Sequence, residues 1–215
     1  MADHYPEGHE PAIDDIRRAL REVIEVLRRA DIAFLLIGGM SAATFARPRE
    51  TDDIDVFVRP DAARAALDAL EAAGFATKVE DPYWLYKGWK HGVLVDVIFR
   101  STGDLYLDDE MLARSYEGEY LGVAAPLVSA EDLLVIKALA AAEHSPHHWY
   151  DALAVIGRSQ LDWDYVLSRA RLAGPRRLLS LLLYAESNDL AVPAEVIEDL
   201  FDVVHPQPGR VAAGR

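Results

Sequence analysis

Two aspartates, Asp53 and Asp55, stand two positions apart in "TDDIDVFV", and a third, Asp96, interrupts the apolar run "VLVDVIF". Residues two apart on a strand project from the same face, so Asp53 and Asp55 point together. Carboxylates held side by side repel one another and call for a cation. A lone carboxylate within an apolar strand is also costly to bury, so Asp96 needs a partner too. If the two strands are neighbours, all three aspartates converge. Hard oxygen ligands that leave room for water and phosphate suit Mg²⁺ or Mn²⁺ better than zinc. Two plainer readings stand beside this one: an Asp-x-Asp pair on a solvated face, and a strand aspartate that caps a helix.

Upstream, Gly38-Gly39 closes the apolar run "IAFLLI" (32–37) and precedes a short helical stretch at 40–47. Glycines bring backbone N–H groups close to a phosphate, and a helix N-terminus beginning near Met40 adds to that attraction. Ser41 offers a hydroxyl. A Gly-Gly pair after a strand also makes a plain tight turn.

Elements must position these groups. Ile13, Ile16, Leu20, Val23, Ile24 and Leu27 recur at helical spacing and predict an amphipathic first helix. Residues 32–37 and 54–58 read as strands, 61–73 as a helix stopped by Gly74, and 75–79, 83–87 and 93–99 as further strands. After Pro126 the character changes. "SAEDLLVIKALAAAE" opens with Ser129 as an N-cap, and helices follow near 130–143, 147–157, 162–172, 175–186 and 193–203. The expected organisation is an α/β part over 1–126, a helical part over 127–205 and a frayed tail over 206–215.

Composition narrows the class. The chain has 215 residues, half of them apolar, which is enough for a sizeable core. No apolar run reaches the roughly eighteen residues that span a bilayer. The opening "MADHYPEGHEP" lacks an apolar signal-peptide core. There is no cysteine, which excludes disulfides and thiolate metal sites and agrees with a cytoplasmic location. A formal net charge of −14 opposes nonspecific attraction to nucleic acid. Five arginines between Arg158 and Arg177, against Asp162 and Asp164, reverse that sign locally. They read either as a surface for an acidic partner or as a solvated helix face.

"IGGMSAATFARPRETDDIDVFV" resembles the signature of the polymerase-β-like nucleotidyltransferase superfamily: an apolar residue, Gly-Gly, a helix, then Asp-apolar-Asp. "RETDDID", from Arg49 through Thr51 to Asp55, and "SAEDLLVIKALAA" are similar to the AbiEii-type toxin branch of small bacterial nucleotidyltransferases. The resemblance covers about residues 32–156. It implies an α+β fold, a polymerase-β-like mixed sheet with helices, followed by a C-terminal helical bundle. It also implies an enzyme that moves NMP from an NTP to a hydroxyl acceptor on tRNA, protein or a small molecule. Asp53, Asp55 and Asp96 would hold Mg²⁺ or Mn²⁺, with Asp96 also helping to deprotonate the hydroxyl. Gly38, Gly39 and Ser41 would hold the triphosphate, joined by Lys137. Arg49, Thr51 and Asp151 are further candidates, and a toxin role would bring an antitoxin protein as partner.

Alternatives remain open. A lysine on an apolar helix, as Lys137 is, usually snorkels to the surface. Asp151 follows "HHWY" where that branch commonly carries a basic residue and a further aspartate, so a structural helix contact is an equal reading. His144, His147 and His148 could hold a transition metal, but Pro146 and the loop setting favour a solvated connection. Trp84, Trp89, Tyr83 and Tyr86 either fill the core or stack a base. The competing functions are a catalytically silent nucleotide-binding or antitoxin-like module and a phosphohydrolase using the same aspartates, against which the Gly-Gly-helix element points to an NTP.

Overall fold

The computed structural model describes residues 11–47 and 51–206. Arg49 and the tail beyond residue 206 lie outside the described residues. The fold is α+β, and its contacts divide the chain between Ser129 and Ala130. Pro126, where the composition changes, lies within a strand of the first unit.

The first unit is built on a seven-stranded mixed sheet of order β3-β4-β5-β2-β1-β7-β6. Its strands are β1 (Phe34–Leu36), β2 (Asp53–Val58), β3 (Ala76–Asp81), β4 (Leu85–Lys90), β5 (Val93–Ile98), β6 (Tyr116–Tyr120) and β7 (Val123–Leu127). Helix α1 (Ile13–Arg29) carries Asp14 and Asp15 in its first turn and Arg28 and Arg29 in its last, both favourable to the helix dipole. It buries Ile16, Ala19, Leu20, Val23, Ile24 and Leu27, while Ile13 stays exposed.

Helix α3 (Ala63–Ala72), preceded by a 3-10 turn at Pro60–Ala62, packs with α1 over one sheet face. That face is made by the fully buried Ile54, Val56 and Val58 of β2 and Val93, Val95 and Val97 of β5. Alternation then sends Asp53, Asp55 and Phe57 of β2 and Leu94, Asp96 and Ile98 of β5 to the opposite face, where Phe57 is fully buried and the three aspartates are only half-buried. The aspartates therefore do not lie in the apolar core.

Two tight turns set the register. His91 and Gly92 both take positive φ (57° and 75°) and join β4 to β5 as a two-residue hairpin loop. Leu121 and Gly122 (52° and 75°) do the same for β6 and β7. Sequence reading passes over this second hairpin and the short α4 (Asp109–Ala113). "YEGEY" shows little apolar content because β6 is a sheet edge, and Pro126 argues against a strand even though it is tolerated here.

The second unit is helical: α5 (Ala130–Ala140), α6 (His147–Arg158), α7 (Trp163–Leu172), α8 (Pro175–Glu186) and α9 (Ala194–Val204). Helix α5 is central, packing against α6, α7 and α8, and its residues from Asp132 to Leu139 are all buried. Its charged Asp132 is met from α7 by the Tyr165 hydroxyl, at 3.0 and 2.9 Å from the two carboxylate oxygens, and by Arg169 Nε at 3.1 Å. Arg169 is thus a buried structural arginine. Arg158, Arg176 and Arg177 of the same arginine-rich stretch are exposed.

Candidate active site

The parallel pairing of β2 with β5 places Asp55 directly opposite Asp96, and Asp53 opposite Leu94. Facing residues of adjacent strands share a sheet face, so the three aspartates occupy one side of two neighbouring strands. Trp89 of β4 continues the Asp53–Leu94 row, half-buried on the same face. Tyr86 points to the other face and packs on Phe99 with ring centroids 4.8 Å apart. Tyr83 and Trp84 are exposed before β4 rather than core-filling.

The glycine turn closes on these carboxylates. Helix α2 (Gly38–Phe45) starts immediately after Ile37, two residues earlier than its sequence suggests. The Ile37 N–H donates to the Asp55 carbonyl at 3.0 Å, tying the turn to β2. Gly38 has φ +63°, and a Cβ there would overlap the Asp55 carboxylate. A Cβ on Gly39 would lie 2.7 Å from Thr51 Cβ. Gly38 is therefore kept free of a side chain by Asp55 and Gly39 by Thr51, so the start of α2 packs directly on these two residues. Thr51 Oγ1 donates to Asp53 Oδ1 at 2.6 Å, which fixes that side chain. Ser41 is fully buried, and its hydroxyl donates to the Leu36 carbonyl at 2.8 Å, bracing the turn from within.

Asp96 has a partner that sequence reading overlooks. The β4–β5 hairpin sets Lys87 opposite Asp96, and Lys87 Nζ lies 3.6 Å from Asp96 Oδ1. The signal was present: a His91-Gly92 two-residue turn forces Lys90 opposite Val93, and hence Lys87 opposite Asp96. Burial pushes the Asp96 carboxyl above its ordinary value, the Lys87 ammonium opposes that rise, and the negative charge of Asp53 adds to it.

Among the described residues no group of three His, Asp or Glu side chains is arranged to hold a metal ion as it stands. The donor set nonetheless fits a hard divalent cation. It consists of carboxylate oxygens alone, and Asp96 Oδ1 is buried without a hydrogen-bond partner.

The family described as "Uncharacterised nucleotidyltransferase" matches residues 14–187. The chain belongs to this family. The match extends over the sheet, the aspartates and most of the helical unit of the nucleotidyltransferase. Among curated proteins no sequence relative is found. An antigenic nucleotidyltransferase-like protein from Paracoccidioides brasiliensis shares the fold at 15% identity and a TM-score of 0.51, over 88% of this chain and 95% of that one. A lincosamide antibiotic adenylyltransferase, solved with lincomycin bound, aligns at 15% identity and a TM-score of 0.47, over 68% and 98%.

The helical unit of the nucleotidyltransferase holds the other two candidates. Lys137 does not snorkel: its side chain is 2% exposed, with Nζ 3.4 Å from Asp151 Oδ2 and 3.3 Å from His148 Nδ1. Asp151 is fully buried. A buried lysine joined to a buried aspartate makes a polar centre within this unit. His148 is its third member, not a solvated connector, whereas His144 and His147 are exposed. Among the described residues no helix is long and apolar enough to cross a membrane.

Proposed function

We propose that this nucleotidyltransferase transfers NMP from an NTP to a hydroxyl acceptor with Mg²⁺ or Mn²⁺ held by Asp53, Asp55 and Asp96. The observation that carries the reading is the Asp55–Asp96 facing pair beside Gly38, with Asp53 on the same face and held by Thr51. Bound there, a divalent cation supplies positive charge to the attacking and departing oxygens.

The chain's own residues supply the rest. The amides of Gly38 and Gly39 face the triphosphate, in a turn braced by Ser41. The acceptor oxygen bonds to the α-phosphorus, the bond to pyrophosphate breaks, and Asp96 takes the hydroxyl proton. A carboxyl whose burial raises its proton affinity suits that task. Lys137, with Asp151 and His148 around its ammonium, is the proposed phosphate-binding residue of the helical unit.

The resemblance of Arg49–Asp55 to the AbiEii-type branch supports a toxin role, with an antitoxin as partner. Incubation with each α-³²P-labelled NTP and Mg²⁺ or Mn²⁺ tests the reading, with tRNA, protein and small hydroxylated compounds as separate acceptor pools. Label transferred to one pool by the wild type and not by Asp53→Asn is the expected result. No transfer from any NTP to any pool would favour the silent nucleotide-binding module.

A further inference from the structure

We propose that Lys87 is a resident counter-cation of the carboxylate cluster: its ammonium holds Asp96 while no divalent cation is bound and releases it when one enters. The proposal rests on the metal reading above and adds a residue to it.

Three neighbouring strands set Lys87, Asp96 and Asp55 in one row across the sheet. Asp96 therefore has an ammonium on one side and a carboxylate on the other. Its Oδ1 is buried without a hydrogen bond, and Lys87 Nζ at 3.6 Å is the compensating charge. The pair is neither dry nor bathed, with side chains 22% and 17% exposed, so it can open without stranding a charge in the core. Lys78 of β3 extends the row beyond Lys87 but is engaged by Glu80 at 2.6 Å and is more exposed. Lys87 is thus the lysine positioned to compete with a metal for Asp96.

A cation that binds Asp96 must displace or outbid that ammonium. Lys87 accordingly weakens metal binding to the empty site. It makes full loading depend on a ligand that brings further negative charge, as a triphosphate does. Lys87 is a positioning residue for Asp96 rather than a catalytic one.

The test is Mn²⁺ titration of the full-length protein without nucleotide, with free Mn²⁺ followed by electron paramagnetic resonance. Lys87→Met is expected to bind Mn²⁺ roughly tenfold more tightly than wild type, because a competing unit charge has gone. Lys87→Arg, which keeps the charge, is expected to stay near wild type, and Lys78→Met to change within about twofold. In the Asp96→Asn background the Lys87→Met gain is expected to vanish, which separates pairing with Asp96 from a general field effect. Lys87→Gln carries the same expectation should Lys87→Met fail to fold. An unchanged or weaker affinity, or a gain that persists in Asp96→Asn, would overturn the proposal. Where the Lys87 expectation fails but Asp53→Asn still weakens Mn²⁺ binding, only the role of Lys87 has failed. If it binds Mn²⁺ like wild type, the metal site itself is overturned, and this proposal with it.

Discussion

Gly38 lies directly against Asp55: the backbone turns through φ +63° at Gly38, and any Cβ there would occupy the space of the Asp55 carboxylate. The start of α2 and the candidate metal ligand therefore share one packing contact. Gly38→Ala is expected to lower stability by about 2 kcal/mol and to abolish transfer, since it adds overlap to a conformation that L side chains avoid. Gly122→Ala is the control, with φ +75° and no atom within 4 Å of the added Cβ. It should cost about 1 kcal/mol and leave turnover intact. Denaturant titration and initial rates check both, and equal behaviour of the two variants would sink the claim for Gly38.

Thr51 holds Asp53 by a 2.6 Å hydrogen bond. Asp53→Asn should remove activity with the fold retained, because it relieves repulsion at a half-buried position. Thr51→Val keeps the shape and frees the carboxylate, so turnover should fall by about tenfold rather than vanish. A fully active Asp53→Asn variant would remove it from the reaction.

Lys137 and Asp151 form a buried pair at 3.4 Å. Lys137→Met leaves the Asp151 carboxylate buried without its ammonium and should destabilise by about 3 kcal/mol. Lys137→Met with Asp151→Asn should recover part of that loss, read by urea unfolding. NTP affinity, measured well below the melting temperature, separates the proposed phosphate-binding role from this structural one. Unchanged affinity in a folded Lys137→Met protein would leave Lys137 with stability alone.

Glu22 ties α1 to the β4–β5 hairpin through Lys90 at 2.6 Å and His91 at 3.0 Å. Burial by itself would raise its carboxyl, but the hydrogen bonds and charges of Lys90 and His91 outweigh that and hold it at about 2 against an ordinary 4.5. A carboxyl with a lowered folded value binds fewer protons in the folded state than in the unfolded one. Its stabilisation is therefore fully present above pH 4.5 and is lost as the pH falls toward 2. Partial exposure and solvent screening keep the effect near 1 kcal/mol. Glu22→Gln should flatten the stability–pH curve over this window, and a slope identical to wild type would exclude the contribution.

Local pattern made much of this protein legible. The spacing of Ile16, Leu20, Val23 and Leu27 set the face of α1, and the two-residue period of β2 put Asp53 and Asp55 together. These are properties of one element, decided by geometry that repeats along the chain. Gly-Gly before a helix and Asp-x-Asp on a strand likewise drew attention to the candidate site before any strand was paired.

What only the tertiary structure decided is which strand lies beside which. The parallel β2–β5 pairing set Asp55 against Asp96, and the hairpin register brought Lys87 to Asp96. Burial of α5 on several sides turned Lys137 inward to Asp151 and His148, against the usual escape of a lysine to the surface. Arg169 likewise left a basic surface stretch for Asp132 in the core. The physical reason is common to these cases: a charged side chain takes its environment from partners far along the chain. Periodicity reports which way a residue points, but only packing determines what it meets.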